Sequence, residues 1–441
     1  MKNKLFTFLN LLNVGVLTAC GGGLSSASVN ALRSPEGLDH KYNYQETRSE
    51  EYLNFKNKLK IFAFKLADSF NQNFYSENKN LSCSPLSIEL CLGLAVRSAN
   101  GQTRDELLRA FDVDYETFNK FYKLYFNEMF LVSRDENEKI ISQLLLTNSI
   151  WLDQRGDFVD AGLDALRDDY YCYSFEADFL NQNDAANKAI QDFIKDKTKG
   201  LIDPKLGLSI DTLFVLMNTL YLKDVWNTDG QDLPYTKEDY HFTNLNGEKS
   251  NKQLLSGYYY SGKALETEDF SSFHTSTCYY QLYFIKPNEG KDLKTVFTKD
   301  NIEYVLDSNN YTYTDEVKME RYHTNCIFPE FESESNESII DMLKNDFDIK
   351  SLFVPGACDL TNVTTTPETY IQEVTHITKL KVDKTGIEGA AVTIMAGGAA
   401  GYEEDPYTDV YESFVVDKEF GFVIVRNDRI IFSGTVTNID K

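Results

Sequence analysis

From about residue 55 onward the apolar positions recur at two spacings, roughly every 3.6 residues or every second residue, and each change of spacing marks an element boundary. The stretch "IFAFKLADSFNQNF" (61–74) holds its apolar residues at helical spacing. "LSCSPLSIELCLGLAVRS" (81–98) predicts the end of a strand and then a helix, whose Ser-Pro start offers a cap and a pre-set φ. Asn100-Gly101 interrupts that helix, and the pattern restarts behind Thr103 with acids in the first turn. "ISQLLLTNSIWLDQ" (141–154) and "TLFVLMNTLYL" (212–222) are apolar enough to be strands buried on both faces. "ANKAIQDFIKDKTKG" (186–200) predicts a helix closed by lysines and Gly200. "FGFVIVRNDRIIFSGTVTN" (420–438) predicts a hairpin that turns at Asn427-Asp428. No internal repeat and no Pro-rich break follows residue 55, so one large α+β domain is predicted.

One stretch fits no static element. "VDKTGIEGAAVTIMAGGAAGYEED" (382–405) begins as a strand and dissolves into Gly and Ala, and no Lys or Arg occurs between Gly389 and Tyr411. Strand alternation would put Ile387, Gly389, Ala391, Thr393 and Met395 on one face, with Glu388, Ala390, Val392, Ile394 and Ala396 on the other. The first face is uncharged and suits a core. The second carries only Glu388, which is expected to stay in solvent. The segment "MAGGAAGYEEDPYTD" (395–409) that follows is too long for a turn in a compact domain, and loops of that length are usually functional.

Composition narrows the setting. The 441 residues are 42% hydrophobic and 25% charged, enough to bury a large core. Lys plus Arg number 44 against 68 Asp plus Glu, a net charge of −24. That balance disfavours nucleic acid as a partner, and a polybasic membrane patch as well. "MKNK" followed by "LFTFLNLLNVGVLTA" has the shape of a secretory signal. The "LTAC" that ends it resembles the bacterial lipobox. On that resemblance residues 1–19 are a lipoprotein signal, Cys20 is the lipid-bearing first residue of an extracellular, cell-surface protein, and 20–52 are a polar tether to a domain over 53–441. A plain cleaved signal, or a buried helix, is the alternative. The remaining cysteines, Cys83, Cys91, Cys172, Cys278, Cys326 and Cys358, form no CxxC pair and no metal-ligand spacing with the histidines, so no metal or cofactor is predicted. Cys83, Cys91 and Cys326 lie in apolar surroundings and read as small hydrophobes.

Catalytic signatures are missing from the chain. There is no GxSxG elbow, HExxH, P-loop or GxGxxG after a strand. His40, His241, His274, His323 and His376 are scattered, none in a motif with a nucleophile. Acidic pairs such as Glu403-Glu404 are too common here to suggest general acid/base work. Nothing supports an enzyme.

Several segments, in order, resemble the serpin family: "CSPLSIELCLGLAVRSANGQTRDEL", "IQDFIKDKTKGLI", "LMNTLYLKDVW", "FPEFESESNESIIDMLKNDFDIKSLF", "HITKLKVDKTGIEGAAVT" and "FSGTVTN", together spanning about Phe55 to Asn438. The resemblance implies a serpin fold: a large central β-sheet, two smaller sheets, surrounding helices and an exposed reactive-centre loop, here about 384–413. It implies a protease inhibitor that is a suicide substrate and a monomer, needing no cofactor. Its loop is bait on a metastable fold, and after cleavage the leading half enters the sheet as a new strand. About ten new strand residues, at about 1 kcal/mol net per hydrogen bond, would supply on the order of 10 kcal/mol to that step.

The resemblance also assigns roles. Gly386, Ile387, Glu388, Gly389, Ala390 and Ala391 match the hinge, and counting from Gly386 puts the scissile bond at Ala400-Gly401. A small bait residue suits an elastase-like protease, with subtilisin-like enzymes also compatible; Tyr402, as the alternative bait, would suit a chymotrypsin-like one. Ser84, Ser87, Asn218 and His376 match the shutter beneath the sheet, though His376 also reads as a plain core histidine and the serines as helix caps. Trp226 matches the breach, where the loop first enters, or else is ordinary core. Ile387 stands where inhibitors usually carry Thr or Ser, and Lys384-Thr385 where Glu and a charged residue are common. Those departures keep open a non-inhibitory serpin acting as a binding or chaperone module. No Lys/Arg cluster appears around 112–140, so no heparin site is expected.

Overall fold

The computed structural model describes residues 29–37, 40–228, 231–388 and 406–440. In chain order its first half supplies β1 (Val29–Arg33), α1 (Glu50–Phe74), β2 (Leu81–Cys83), α2 (Pro85–Ser98), α3 (Gly101–Phe111), α4 (Tyr115–Met129), β3 (Leu131–Arg134), β4 (Ile140–Asp153), α5 (Asp160–Tyr170), β5 (Cys172–Ala177), α6 (Asn183–Lys197) and β6 (Phe214–Val225). The second half supplies β7 (Leu255–Ser261), β8 (Leu265–Glu266), β9 (Phe270–Ser276), β10 (Gln281–Pro287), α7 (Leu293–Val296), α8 (Lys299–Leu306), β11 (Thr314–Asp315), β12 (Glu320–Phe328), β13 (Phe331–Ser338), α9 (Ile340–Asp346), β14 (Thr375–Asp383), β15 (Gly386–Ile387), β16 (Thr408–Val415), β17 (Phe420–Arg426) and β18 (Arg429–Val436).

Local chemistry explains most boundaries. Ser49 caps α1 by accepting from the Tyr52 N–H, and Ser84 caps α2 by accepting from the Ser87 N–H, with Pro85 in the first turn. The β17–β18 hairpin turns at Asn427-Asp428, whose φ values of 50° and 61° are the left-handed pair a two-residue turn of the favoured hand requires. The helix expected to restart behind Thr103 begins three residues earlier, at Gly101. Thr103 is drawn elsewhere, accepting from the Asp359 N–H at 3.0 Å.

The strands form three sheets. The central one has eight strands in the order β1-β5-β4-β6-β15-β14-β13, with β3 beside β5 on the same edge of β4. A six-stranded sheet runs β2-β18-β17-β10-β9-β8, and a four-stranded one runs β11-β12-β16 with β7 on β12. One hydrophobic cluster joins α1, α2 and α4 to the central and six-stranded sheets. A smaller one lies under α6 around Trp151, Phe175 and Phe193. The six described cysteines are free thiols, with Cys83 and Cys326 buried as small hydrophobes are and Cys91 partly exposed.

Two segments differ from their reading in the sequence. Within the span read as a tether, β1 pairs antiparallel with β5, and Arg33 holds Asp160 and Asp164 of α5 at 2.6 and 2.7 Å. The cause is the otherwise open edge of β5, which offers a row of unpaired backbone groups. The loop expected over about 384–413 is bounded more tightly. Gly386 and Ile387 already lie in the central sheet as β15, and residues 408–415 lie parallel to β12 as β16.

Candidate functional site

The site is a seam in the central sheet between β6 and β14. At its upper end β15 fills the seam for two residues, pairing Gly386 and Ile387 with Val225 and Asp224 on one side and with Asp383 and Val382 on the other. Glycine is required at 386: φ is +149°, and a Cβ there would lie 2.1 Å from the Asp224 carbonyl oxygen. Ile387 is fully buried, which favours the docked position by about 1.5–3 kcal/mol. Glu388 leaves the strand with φ at +47°, its N–H still bonded to the Lys381 carbonyl at 2.9 Å.

The turn into β15 is well held. Trp226, 2% exposed, donates its indole N–H to the Asp383 carbonyl at 2.8 Å and meets Phe328 edge-on at 5.5 Å. Thr385 donates to the Asp383 carboxylate from both N–H and hydroxyl, at 2.8 and 2.6 Å. The Leu233 N–H donates to the Lys384 carbonyl at 2.7 Å.

Below β15 no described strand lies between β6 and β14, and a polar relay crosses beneath the seam instead. His376 of β14 accepts the Ser84 N–H at Nε2 (3.0 Å), and the Ser84 hydroxyl donates to the Ile431 carbonyl at 2.8 Å. The Ser87 hydroxyl donates to Asn218 Oδ1 at 2.7 Å, and Asn218 Nδ2 donates to Asn148 Oδ1 at 2.9 Å. Asn148 in turn donates to the Tyr122 hydroxyl and the Tyr170 carbonyl, at 3.1 and 2.7 Å. Burial holds the His376 imidazole down to about 3, so it is neutral, and accepting at Nε2 leaves its proton on Nδ1. A cavity of about 70 Å³ opens here, lined by Ser87, Met217, Asn218, Thr219, His376 and Ile377 among others.

The structure thus brings Ser84, Ser87, Asn218 and His376 together across two strands and a helix N-terminus, and sets Gly386, Ile387 and Trp226 at the opposite end of the same seam. Ser84 is both a cap and a relay member. Glu388 corrects the expectation that it stays in solvent. It is half-buried against Tyr221, Lys223 and Lys381, and burial pushes its carboxyl up to about 7. Gly389, Ala390, Ala391, Ala400, Gly401, Tyr402 and Cys20 lie outside the described residues. Sequence reasoning missed Asn148 and Asp224. Asn148 had a signal, an amide in the middle of a strand apolar on both faces, which must find a buried partner. Among the described residues no group of His, Cys, Asp and Glu is arranged to hold a metal ion, and no helix is long and apolar enough to cross a membrane.

Comparison with known proteins agrees with this architecture. The serpin family, serine protease inhibitors by description, is matched by residues 57–439. Serpin A3-5 of Bos taurus is 27% identical over 370 residues, covering 82% of this chain and 84% of that protein. Leukocyte elastase inhibitor A of Mus musculus is 24% identical over 391 residues, covering 85% and 97%. The solved structure of the thermophilic serpin tengpin in its native state has a TM-score of 0.70 at 21% identity, covering 93% of this chain and 100% of that one. With the family matched over most of its length and a three-sheet fold that agrees with solved members, the chain belongs to the serpin family, whose members are generally protease inhibitors.

Proposed function

We propose that this serpin is an extracellular, surface-anchored suicide-substrate inhibitor of an elastase-like serine protease, held at the cell through a lipidated Cys20. β15 supports the insertion step of the proposal: Gly386 and Ile387 pair with β6 and β14 in the register that a longer inserted strand would need. Continued in that antiparallel register, Gly389 would meet Leu222 of β6 and Leu380 of β14, and Ala391 would meet Leu220 and Thr378. Thr393 would arrive between Asn218 and His376, so a cleaved loop inserting this far must part the shutter relay. The small residues at 389 and 391 suit entry between existing strands, and the cavity in the seam, lined by residues 215–219 and 373–377, lies further down, at the level that Thr393 would reach.

The test mixes the mature protein with pancreatic elastase. An SDS-resistant complex and a released C-terminal peptide beginning at Gly401 are expected. A peptide beginning after Tyr402 keeps the mechanism and moves the target class towards chymotrypsin-like enzymes. Cleavage without a complex, and without a gain in thermal stability, overturns the inhibitor reading. The second reading, a non-inhibitory binding or chaperone module, is favoured by one observation: Ile387 is already buried, so part of the insertion energy is spent before any cleavage.

A further inference from the structure

Two carboxylates flank the docked hinge, and neither has a full set of partners. Asp224 lies beneath it with no solvent exposure, and the strand registers seat it between Ser142 of β4 and Ile387 of β15. Residues directly opposite in antiparallel strands hold their Cβ atoms about 4.5–5.5 Å apart, so the Ile387 side chain is a wall of the Asp224 site. Asp224 Oδ2 accepts the Tyr279 N–H at 2.8 Å, and the Thr277 and Ser142 hydroxyls lie close enough to favour its charged form, yet Oδ1 has no partner within full hydrogen-bond geometry. The turn between β9 and β10 closes the site with Thr277, Cys278, Tyr279 and Tyr280. Glu388 follows on the outward face, with Oε2 buried and unpartnered. Tyr221 and Lys223 face it from β6, and Lys381 faces it from β14.

We propose that Asp224 and Glu388 form a proton gate on the hinge: acid keeps Gly386 and Ile387 seated in the central sheet, and ionisation of the two carboxylates releases them. Docking Ile387 takes water away from Asp224 without supplying a donor, and docking Glu388 beside Tyr221 strands one of its oxygens. Burial accordingly outweighs the hydrogen bonds at both groups and pushes both carboxyls up to about 7. Undocked, Glu388 would titrate in the ordinary carboxylate range near 4, while Asp224, still beneath the turn at 277–280, would be relieved only of the burial that Ile387 adds. The docked hinge therefore binds more protons than the released one. Its advantage is complete below about 4 and is lost as the pH rises through about 7. The gate sets how much of the bait loop projects from the fold, and that consequence rests on the loop-insertion reading above.

The experiment uses the chain's own reporter. The sequence has two tryptophans, and Trp151→Phe leaves Trp226, whose indole is bonded to Asp383 at the entrance to β15. Emission of the full-length Trp151→Phe protein is followed from about pH 5 to about pH 9, alongside hydrogen exchange at residues 386–388. A red shift and faster exchange are expected as the pH rises, with a midpoint near 7. Hinge occupancy should change at least about tenfold, the equivalent of a single unit of pKa difference. Asp224→Asn and Glu388→Gln, each in the Trp151→Phe background, should each reduce the pH response and keep the hinge seated at alkaline pH. Glu388→Gln is half-exposed and safe for folding, so it stands in if Asp224→Asn does not fold. A flat profile in the Trp151→Phe protein, or an unaltered one in Glu388→Gln, overturns the gate. Neither readout needs a protease: a protein that titrates but never traps elastase keeps the gate and loses the inhibitor reading, and the converse separates them the other way.

Discussion

The two ends of the seam between β6 and β14 are built on opposite terms. The lower end is empty, and its relay is satisfied although the Thr219 hydroxyl beside it has no partner: Ser84, Ser87, Asn148 and Asn218 hydrogen-bond in sequence, and His376 closes the relay as a neutral acceptor. The upper end is filled but unsatisfied: Ile387 is buried, yet Asp224 and Glu388 each hold an oxygen without a partner. Opening the lower end gives up hydrogen bonds and exposes little charge. Opening the upper end gives up apolar burial and relieves two acids. On the proposed insertion reading, a sheet made this way would resist a strand at the bottom while tolerating its first residues at the top.

The comparison predicts opposite responses to acid, and the larger belongs to the lower end. His376 has its pKa held near 3 in the folded chain against about 6.5 when unfolded, so protonation opposes folding. Its contribution is present above about 6.5 and is lost as the pH falls towards about 3, by about 1.4 kcal/mol per unit. Urea unfolding at successive pH values should show that slope, and His376→Gln, which can still accept from Ser84 but does not titrate, should remove it. An unchanged slope in the variant would assign acid lability to other groups and break the contrast.

Gly386→Ala acts at the upper end with a middling effect. Its Cβ cannot share space with the Asp224 carbonyl 2.1 Å away, so β15 should leave the sheet and forfeit about 1.5–3 kcal/mol of Ile387 burial. Faster hydrogen exchange at 386–388, with the Ser84–His376 relay as protected as before, is the expected result. Loss of protection at both ends would mean the seam moves as one unit.

These two ends were unequally legible in the sequence. The relay members were placed by the family resemblance of the segments that hold them, since local pattern alone left Ser84 and Ser87 as helix caps and His376 as a core histidine. The Asn427-Asp428 hairpin was legible from local pattern, since its turn chemistry is local. Asp224 was not, because in "LYLKDVW" a lone Lys-Asp pair looks like solvated surface. It is buried by a turn more than fifty residues later, at Thr277 to Tyr279. Glu388 was put on the correct face but in the wrong surroundings, because alternation assigns a side and says nothing of Tyr221 or the lysine stems that cover it. The β1 segment, "VNALR", is too short and too broken in its alternation to announce a strand, and forms one against the edge that β5 leaves open.

Lys384 provides the smallest test and the sharpest control on what holds the upper end. It pairs with Asp232 at 3.0 Å, with the two side chains 48% and 36% exposed, and its position is a departure from the residues common in inhibitors. An exposed pair of this kind contributes about 0.2–1 kcal/mol and is weakened by salt. The Lys384 backbone is held independently, by its carbonyl to Leu233 and by its N–H to Glu330 at 2.9 Å. Lys384→Met should therefore change stability by less than about 1 kcal/mol and leave the pH response of Trp226 emission intact. High salt should be equally ineffective in the unaltered protein, because the acids that matter lie under and against the sheet rather than on its rim. If Lys384→Met instead released the hinge, the upper end would be latched by a surface charge, and its difference from the lower end would be one of rim chemistry rather than of burial.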